Sequence, residues 1–131
     1  RAVARCRIVF PRDAWDTLVE SGFAGKKGPV LATAVVAGVQ GAKRTSELIP
    51  FCHPVALDAC DVSFEEQELA LEVTCAVTTT HRTGVEMEAL SGASIAALAV
   101  YDMTKALSHS IRVEDLRLVE KTGGKSDYHK T

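Results

Sequence analysis

Aromatic side chains are scarce in this 131-residue sequence, 5% in all, so its core has to be built from Ala, Val, Leu and Ile. Its four cysteines, at positions 6, 52, 60 and 75, show no C-x-x-C spacing. That leaves neither a visible disulfide framework nor paired zinc ligands, and no secretory leader is visible, so reduced thiols in the cytoplasm are expected. Uncharged runs are too short to span a bilayer, which argues against a membrane protein. There is no G-x-x-x-x-G-K-[ST] match, hence no P-loop. The net charge of −2 gives no basic excess for nucleic-acid binding, which draws its affinity from many phosphate contacts. Linkers, repeats and low-complexity tracts are also missing, and the length suits one domain over residues 1–131.

What is present is a globular composition, 47% hydrophobic and 24% charged, with its charge unevenly laid out. Residues 1–50 hold eight Lys and Arg against four Asp and Glu, whereas residues 51–100 hold one against eight. These basic and acidic stretches have to meet in the fold.

Alternation predicts a half-buried strand from Val3 to Phe10, with Val3 and, after a slip, Cys6, Ile8 and Phe10 inside and Arg5 and Arg7 facing away. Pro11 opens a short helix carrying Trp15, Leu18 and Val19, which Gly22 ends. A glycine-rich basic loop, residues 21–28, leads to a second helix from about Pro29 to Leu48, rich in Ala and Gly. Pro50 and Pro54 bracket Phe51-Cys52-His53 in a non-helical connection. Strands over Val55–Phe64 and Leu69–Val77 form a hairpin turning at residues 65–68. A long helix from about Val85 to Leu107 follows, uncharged from Ala89 to Tyr101 and apolar nearly all round, so that it needs cover on several sides, another subunit among the candidates. A last strand covers Ile111–Val119. The order β-α-α-β-β-α-β predicts an α+β fold with helices on one face of an antiparallel sheet.

Several groups could carry chemistry. Lysines near glycines (Lys26 and Lys27 before Gly28, Lys121 and Lys125 around Gly123-Gly124) and the pair Lys43-Arg44 suit anion binding, because glycine lets backbone N–H groups approach closely. Solvated surface lysines are the ordinary alternative. Asp102 and Lys105 share a helix face at i, i+3, where the uncharged stretch ends. Partial burial there would perturb both groups, as acid–base catalysis requires, and the alternative is a surface ion pair worth a few tenths of a kcal/mol. Glu86 and Glu88, flanking Met87, suit the positive end of a helix dipole, or, projecting to one side of an extended approach, the donor edge of a guanine-like ring. Cys52-His53 lacks a second ligand pair, so no metal site is expected, and His53 is a candidate proton carrier. An RNA-binding module would need stacking aromatics on its strands, and the middle strands offer only Phe64.

Five segments together resemble the cyclic pyranopterin monophosphate synthase family of molybdenum-cofactor biosynthesis C proteins. They are Lys-Gly-Pro-Val-Leu-Ala-Thr-Ala (27–34), Ala-Lys-Arg-Thr-Ser-Glu-Leu-Ile-Pro-Phe-Cys-His-Pro (42–54), Thr-Gly-Val-Glu-Met-Glu-Ala-Leu (83–90), Tyr-Asp-Met-Thr-Lys-Ala (101–106) and Glu-Lys-Thr-Gly-Gly-Lys-Ser (120–126). The resemblance implies a ferredoxin-like α+β subunit in a homohexamer, a trimer of dimers with active sites at subunit interfaces. It implies conversion of 3',8-cyclo-7,8-dihydroguanosine triphosphate into cyclic pyranopterin monophosphate with release of pyrophosphate. No cofactor is then required, although magnesium could assist the pyrophosphate. Carried over by motif, Asp102, Lys105 and Lys27 are catalytic, while Phe51, Cys52, His53, Met87 and Glu88 match substrate-binding positions. Glu86, Lys121 and Lys125 match further active-site positions. The sequence departs from the pattern in Phe51, where Leu is usual, and in Lys27-Gly28-Pro29, where Lys-Gly-Asp is common.

Overall fold

The computed structural model describes residues 1–123 and 126–130. Its central strand, β1 (Ala2–Val9), runs between β5 (Ala70–Thr78) and β6 (Arg112–Lys121), with β4 (Ala59–Gln67) outside β5 and the short β7 (Tyr128–His129) outside β6. Every pairing is antiparallel. Ala2, Ala4, Cys6 and Ile8 are fully buried on one face of β1, as are Leu71, Val73, Cys75 and Val77 on β5. No slip occurs in β1, contrary to the sequence-based expectation. Val3 lies on the opposite face, and the small Ala2 and Ala4 hold the core side that its size suggested for it.

Helices α2 (Val30–Lys43) and α4 (Glu86–Thr104) pack on each other and over the apolar sheet face. The other face carries the charge. Arg117 reaches Glu72 at 3.3 Å and Arg7 reaches Glu114 at 3.3 Å, while Arg5 bonds the Thr74 hydroxyl. The basic first third meets the acidic middle at the hairpin tip, where Arg12 reaches Glu68 at 3.5 Å, while on the sheet face charges pair between β1 and β6 and, across β1, between β6 and β5. Helix α1 (Arg12–Glu20) closes one end of the core, with Trp15 stacked near Phe10 and Phe23 at centroid distances of 5.6 and 5.8 Å.

The expected second helix is two. α2 stops at Arg44 and a single turn, α3 (Thr45–Leu48), follows. At the break the buried Thr45 hydroxyl donates back to the carbonyls of Gly41 and Ala42, at 3.2 and 2.9 Å, a bond that favours a bend in the helix. The expected glycine-rich loop contains two short strands, β2 (Ala24–Gly25) and β3 (Gly28–Pro29), with Lys26 and Lys27 between them. β4 begins at Ala59 rather than Val55, and its hairpin turns at Glu68-Leu69, because residues 65–67 stay paired with 70–72. Leu69 takes φ 59° and its carbonyl accepts from the Phe10 amide at 2.8 Å, pinning the tip to the end of β1. α4 ends at Thr104, and Lys105–Leu107 form a tighter 3₁₀ turn.

Close approach of α4 depends on glycine. A Cβ on Gly92 would stand 2.5 Å from the Cys75 sulfur, and one on Gly41 would stand 2.7 Å from Ile95. Gly92→Ala should therefore lower stability by about 1–3 kcal/mol in urea unfolding, outweighing the ~1 kcal/mol gained in helix propensity. Cys75→Ala in the same chain should recover part of that loss, and additive losses would show that the sulfur is not the obstacle.

Candidate active site

One cluster gathers where α4 ends. Lys27, carried on the β2–β3 turn, places Nζ 3.4 Å from Asp102 Oδ2, while Lys105, on the 3₁₀ turn, places its Nζ 2.9 Å from Oδ1. Gly28 follows Lys27 at φ 115°, a conformation open to glycine and strained for other residues. Lys105 first and Lys27 second hold the Asp102 carboxyl below the usual aspartate range by hydrogen bonding and charge. The expected partial burial of this pair is not found. Asp102 and Lys105 are exposed in the single chain, because they face outward while Val100 and Thr104 on the same turns of α4 stay buried. The cluster borders a cavity of about 300 Å³ whose wall includes Leu18, Val30, Met103 and Leu107.

A second cluster gathers where α4 begins. Phe51, Cys52 and His53, held between the two prolines, face Glu86, Met87 and Glu88 across a pocket of about 200 Å³. The two glutamates belong to the first turn of the helix rather than to an extended lead-in, so their shared pocket comes from the helix end meeting the 51–53 loop. Glu88 is 5% exposed, and burial, with a contribution from Glu86, pushes its carboxyl up. Gly84 has no side chain to block Glu86, whose carboxylate folds back against it. Lys121 Nζ lies 3.2 Å from that carboxylate. Phe51 is 96% exposed, a wholly uncovered aromatic ring on the pocket wall.

The cationic groups therefore do not converge in one chain. Lys27 and Lys105 stand at one end of α4 and Lys121 at the other, while Lys43 and Arg44 close α2. Lys125 lies outside the described residues. Sequence reasoning missed Arg82 as a site residue and found no partner for His81. With Arg1 and Lys121 they line a small recess of about 60 Å³ that shares Thr83, Gly84 and Glu86 with the second cluster. A signal existed: Arg82 is the one Lys or Arg in the acidic stretch 51–100. Among the described residues no group of three or more His, Cys, Asp or Glu is placed to hold a metal ion.

An ionised aspartate between two lysines, and a pocket lined by buried and half-buried carboxylates at the other end of the same helix, fit an enzyme that acts on a charged small molecule. The family model described as the MoaC family matches residues 1–124, and the chain belongs to that family. It is 52% identical over 127 residues to the cyclic pyranopterin monophosphate synthase of Xanthomonas oryzae pv. oryzae (strain MAFF 311018), covering 96% of this chain and 77% of the relative. Over 130 residues it is 50% identical to the protein of the same name from Heliobacterium modesticaldum, covering 98% and 80%. It is 45% identical to the molybdenum cofactor biosynthesis bifunctional protein of Synechocystis sp. (strain ATCC 27184 / PCC 6803 / Kazusa), 39% of which is covered.

The clamp on Asp102 is open to measurement. In a carbon-detected titration its carboxyl should lose charge only below the usual aspartate range, and Lys105→Ala should move that midpoint upward. An unchanged midpoint would show that Lys105 does not hold the carboxylate.

Proposed function

We infer that this chain is an enzyme of molybdenum cofactor biosynthesis, a cyclic pyranopterin monophosphate synthase. Its substrate on this reading is 3',8-cyclo-7,8-dihydroguanosine triphosphate and its products are cyclic pyranopterin monophosphate and pyrophosphate. The observation that carries the reading is the Lys27–Asp102–Lys105 cluster, lying within the segment that matches the family. Opening the five-membered purine ring and closing the pyranopterin require several proton transfers. Asp102, kept ionised by its lysines, is the acid/base, with Lys105 beside it and His53 a further proton carrier. Closing the cyclic phosphate requires a sugar hydroxyl to attack the α-phosphorus and expel pyrophosphate. Lys27, Lys121 and Lys125 offset charge on the phosphates and the leaving group. Glu86 and Glu88 accept hydrogen bonds from the donor edge of the base. These steps use acids, bases and cations alone, so we propose that no resident cofactor takes part, with magnesium assisting the pyrophosphate.

Geometry supports assembly. Glu86 and Asp102 are sixteen positions apart on one helix, about 24 Å at 1.5 Å per residue, too far for one substrate to hold at both ends. A site using both clusters takes one from each of two chains. Val36, Leu48 and Leu98 also leave apolar surface uncovered on the helical side. We therefore read the protein as a homohexamer, a trimer of dimers of one ferredoxin-like domain in the cytoplasm. The strand order β4-β5-β1-β6 fits that fold, and among the described residues no helix is long and apolar enough to cross a membrane.

Asp102→Ala and Lys105→Ala should each lower pyrophosphate release and product formation by at least ~10²-fold, with an unchanged circular dichroism spectrum. Turnover like the wild type in either variant would overturn the assigned roles. Binding of substrate by the wild type without pyrophosphate release would mark a nucleotide-binding relative instead.

A further inference from the structure

We propose that Cys60 and Cys75 form an oxidisable thiol pair, a modification site apart from both substrate clusters, which a hydroperoxide converts to an intrachain disulfide. Cys60 stands opposite Val77, and Cys75 opposite Val62, so the two thiols are diagonal neighbours on the core side of the β4–β5 hairpin. Their sulfurs are 4.0 Å apart. The pair is asymmetric in access and in acidity. Cys60 is partly exposed and Cys75 is buried. The two thiols share a hydrogen bond, which, with a smaller contribution from Lys43, holds the Cys60 thiol below the usual range against burial and the charge of Asp61. The same bond, with burial, pushes Cys75 up. Cys6 differs: it bonds the Ala93 carbonyl and burial pushes it up to about 12, so it is a packing residue.

Reactivity follows thiolate character and exposure. The Cys60 thiolate attacks one oxygen of the hydroperoxide, the O–O bond breaks, and a sulfenic acid forms as the departing oxygen takes a proton. The Cys75 sulfur then attacks the Cys60 sulfur and displaces its hydroxyl, which leaves as water with the Cys75 proton. With hydrogen peroxide, two thiols surrender two electrons and two waters are formed. Closure brings the sulfurs from 4.0 Å to about 2.05 Å, and because diagonal positions stand wider apart than a disulfide's usual backbone span, the β4–β5 backbone must draw in as well. The Cys75 sulfur therefore shifts within its seat beneath Gly92, the contact on which α4 rests. Since α4 carries Glu86 and Glu88 near its start and Asp102 near its end, the bond is coupled to the helix that presents both clusters.

Peptide mapping without reductant tests the pair directly, with hydrogen peroxide as the oxidant on the full chain. The expected result is a peptide joining Cys60 to Cys75, a mass loss of two hydrogens, reversal by dithiothreitol, and no such peptide from Cys60→Ser. Cys75→Ser should stop at the sulfenic acid, trapped on Cys60 by dimedone. Amide exchange across residues 89–96 should rise in the cross-linked protein. Oxidation at Cys52 or Cys60 with no joined peptide would overturn the pair, and unchanged exchange would overturn its link to α4.

Discussion

The contact between α4 and what lies beneath it is the constraint on which the rest of this structure hangs. With few aromatic rings available, the helix is held by close approach instead. Gly92 lies over the Cys75 sulfur, Gly38 faces Ala96 and the Gly92 carbonyl, and Gly41 makes room for Ile95. Ala89, Ala93, Ala96 and Ala97 are fully buried along the same helix. Dispersion gains per contact are small and fall quickly with separation, so such a seat tolerates little displacement. The helix is therefore a rigid spacer, and both functional clusters are fixed at its ends.

Electrostatics follows from that placement. At one end two lysines share one exposed carboxylate, an arrangement held by charge and available to a substrate. At the other, the first turn of the helix places Glu88 in a buried position while Lys121 meets Glu86. The uneven charge along the chain is thus spent in two ways. Part of it pairs across the open sheet face, and part stands at the site. On the proposed reading an anionic triphosphate and the donor edge of a purine call for opposite charges, and groups at both ends of the helix supply them.

Much of this was legible in the sequence. The order of the main elements, the antiparallel sheet and the one-sided helices followed from alternation and from glycine and proline punctuation. Lys27, Asp102 and Lys105 were singled out and do meet, and residues 51–53 do face 86–88. What was illegible had identifiable causes. α2 breaks where the buried Thr45 turns its hydroxyl back on the preceding turn, a bond that no periodicity reveals. β6 pairs with β1 through two register shifts and places Asp115 at φ 58°, which blurs its alternation, and β7 is too short to leave a pattern. Within one chain Lys121 stands at the opposite end of α4 from Lys27 and Lys105, a separation hidden because sequence cannot show which end of a helix a distant strand reaches. The exposure of Asp102 was missed because an uncharged helix stretch does not show which of the residues beyond it face outward, and Asp102 does so beside the buried Val100 and Thr104.

The central claim is that one catalytic site takes its two clusters from two copies of the chain. Mixing subunits tests it most directly. His53→Ala and Lys105→Ala chains, each inactive alone, are co-expressed with different tags and purified as a mixed assembly. The account predicts that activity returns at about a quarter of the wild-type value, because random pairing leaves that share of shared sites with both residues intact. Activity no greater than that of the two variants alone would contradict it, and would place the whole site within one chain.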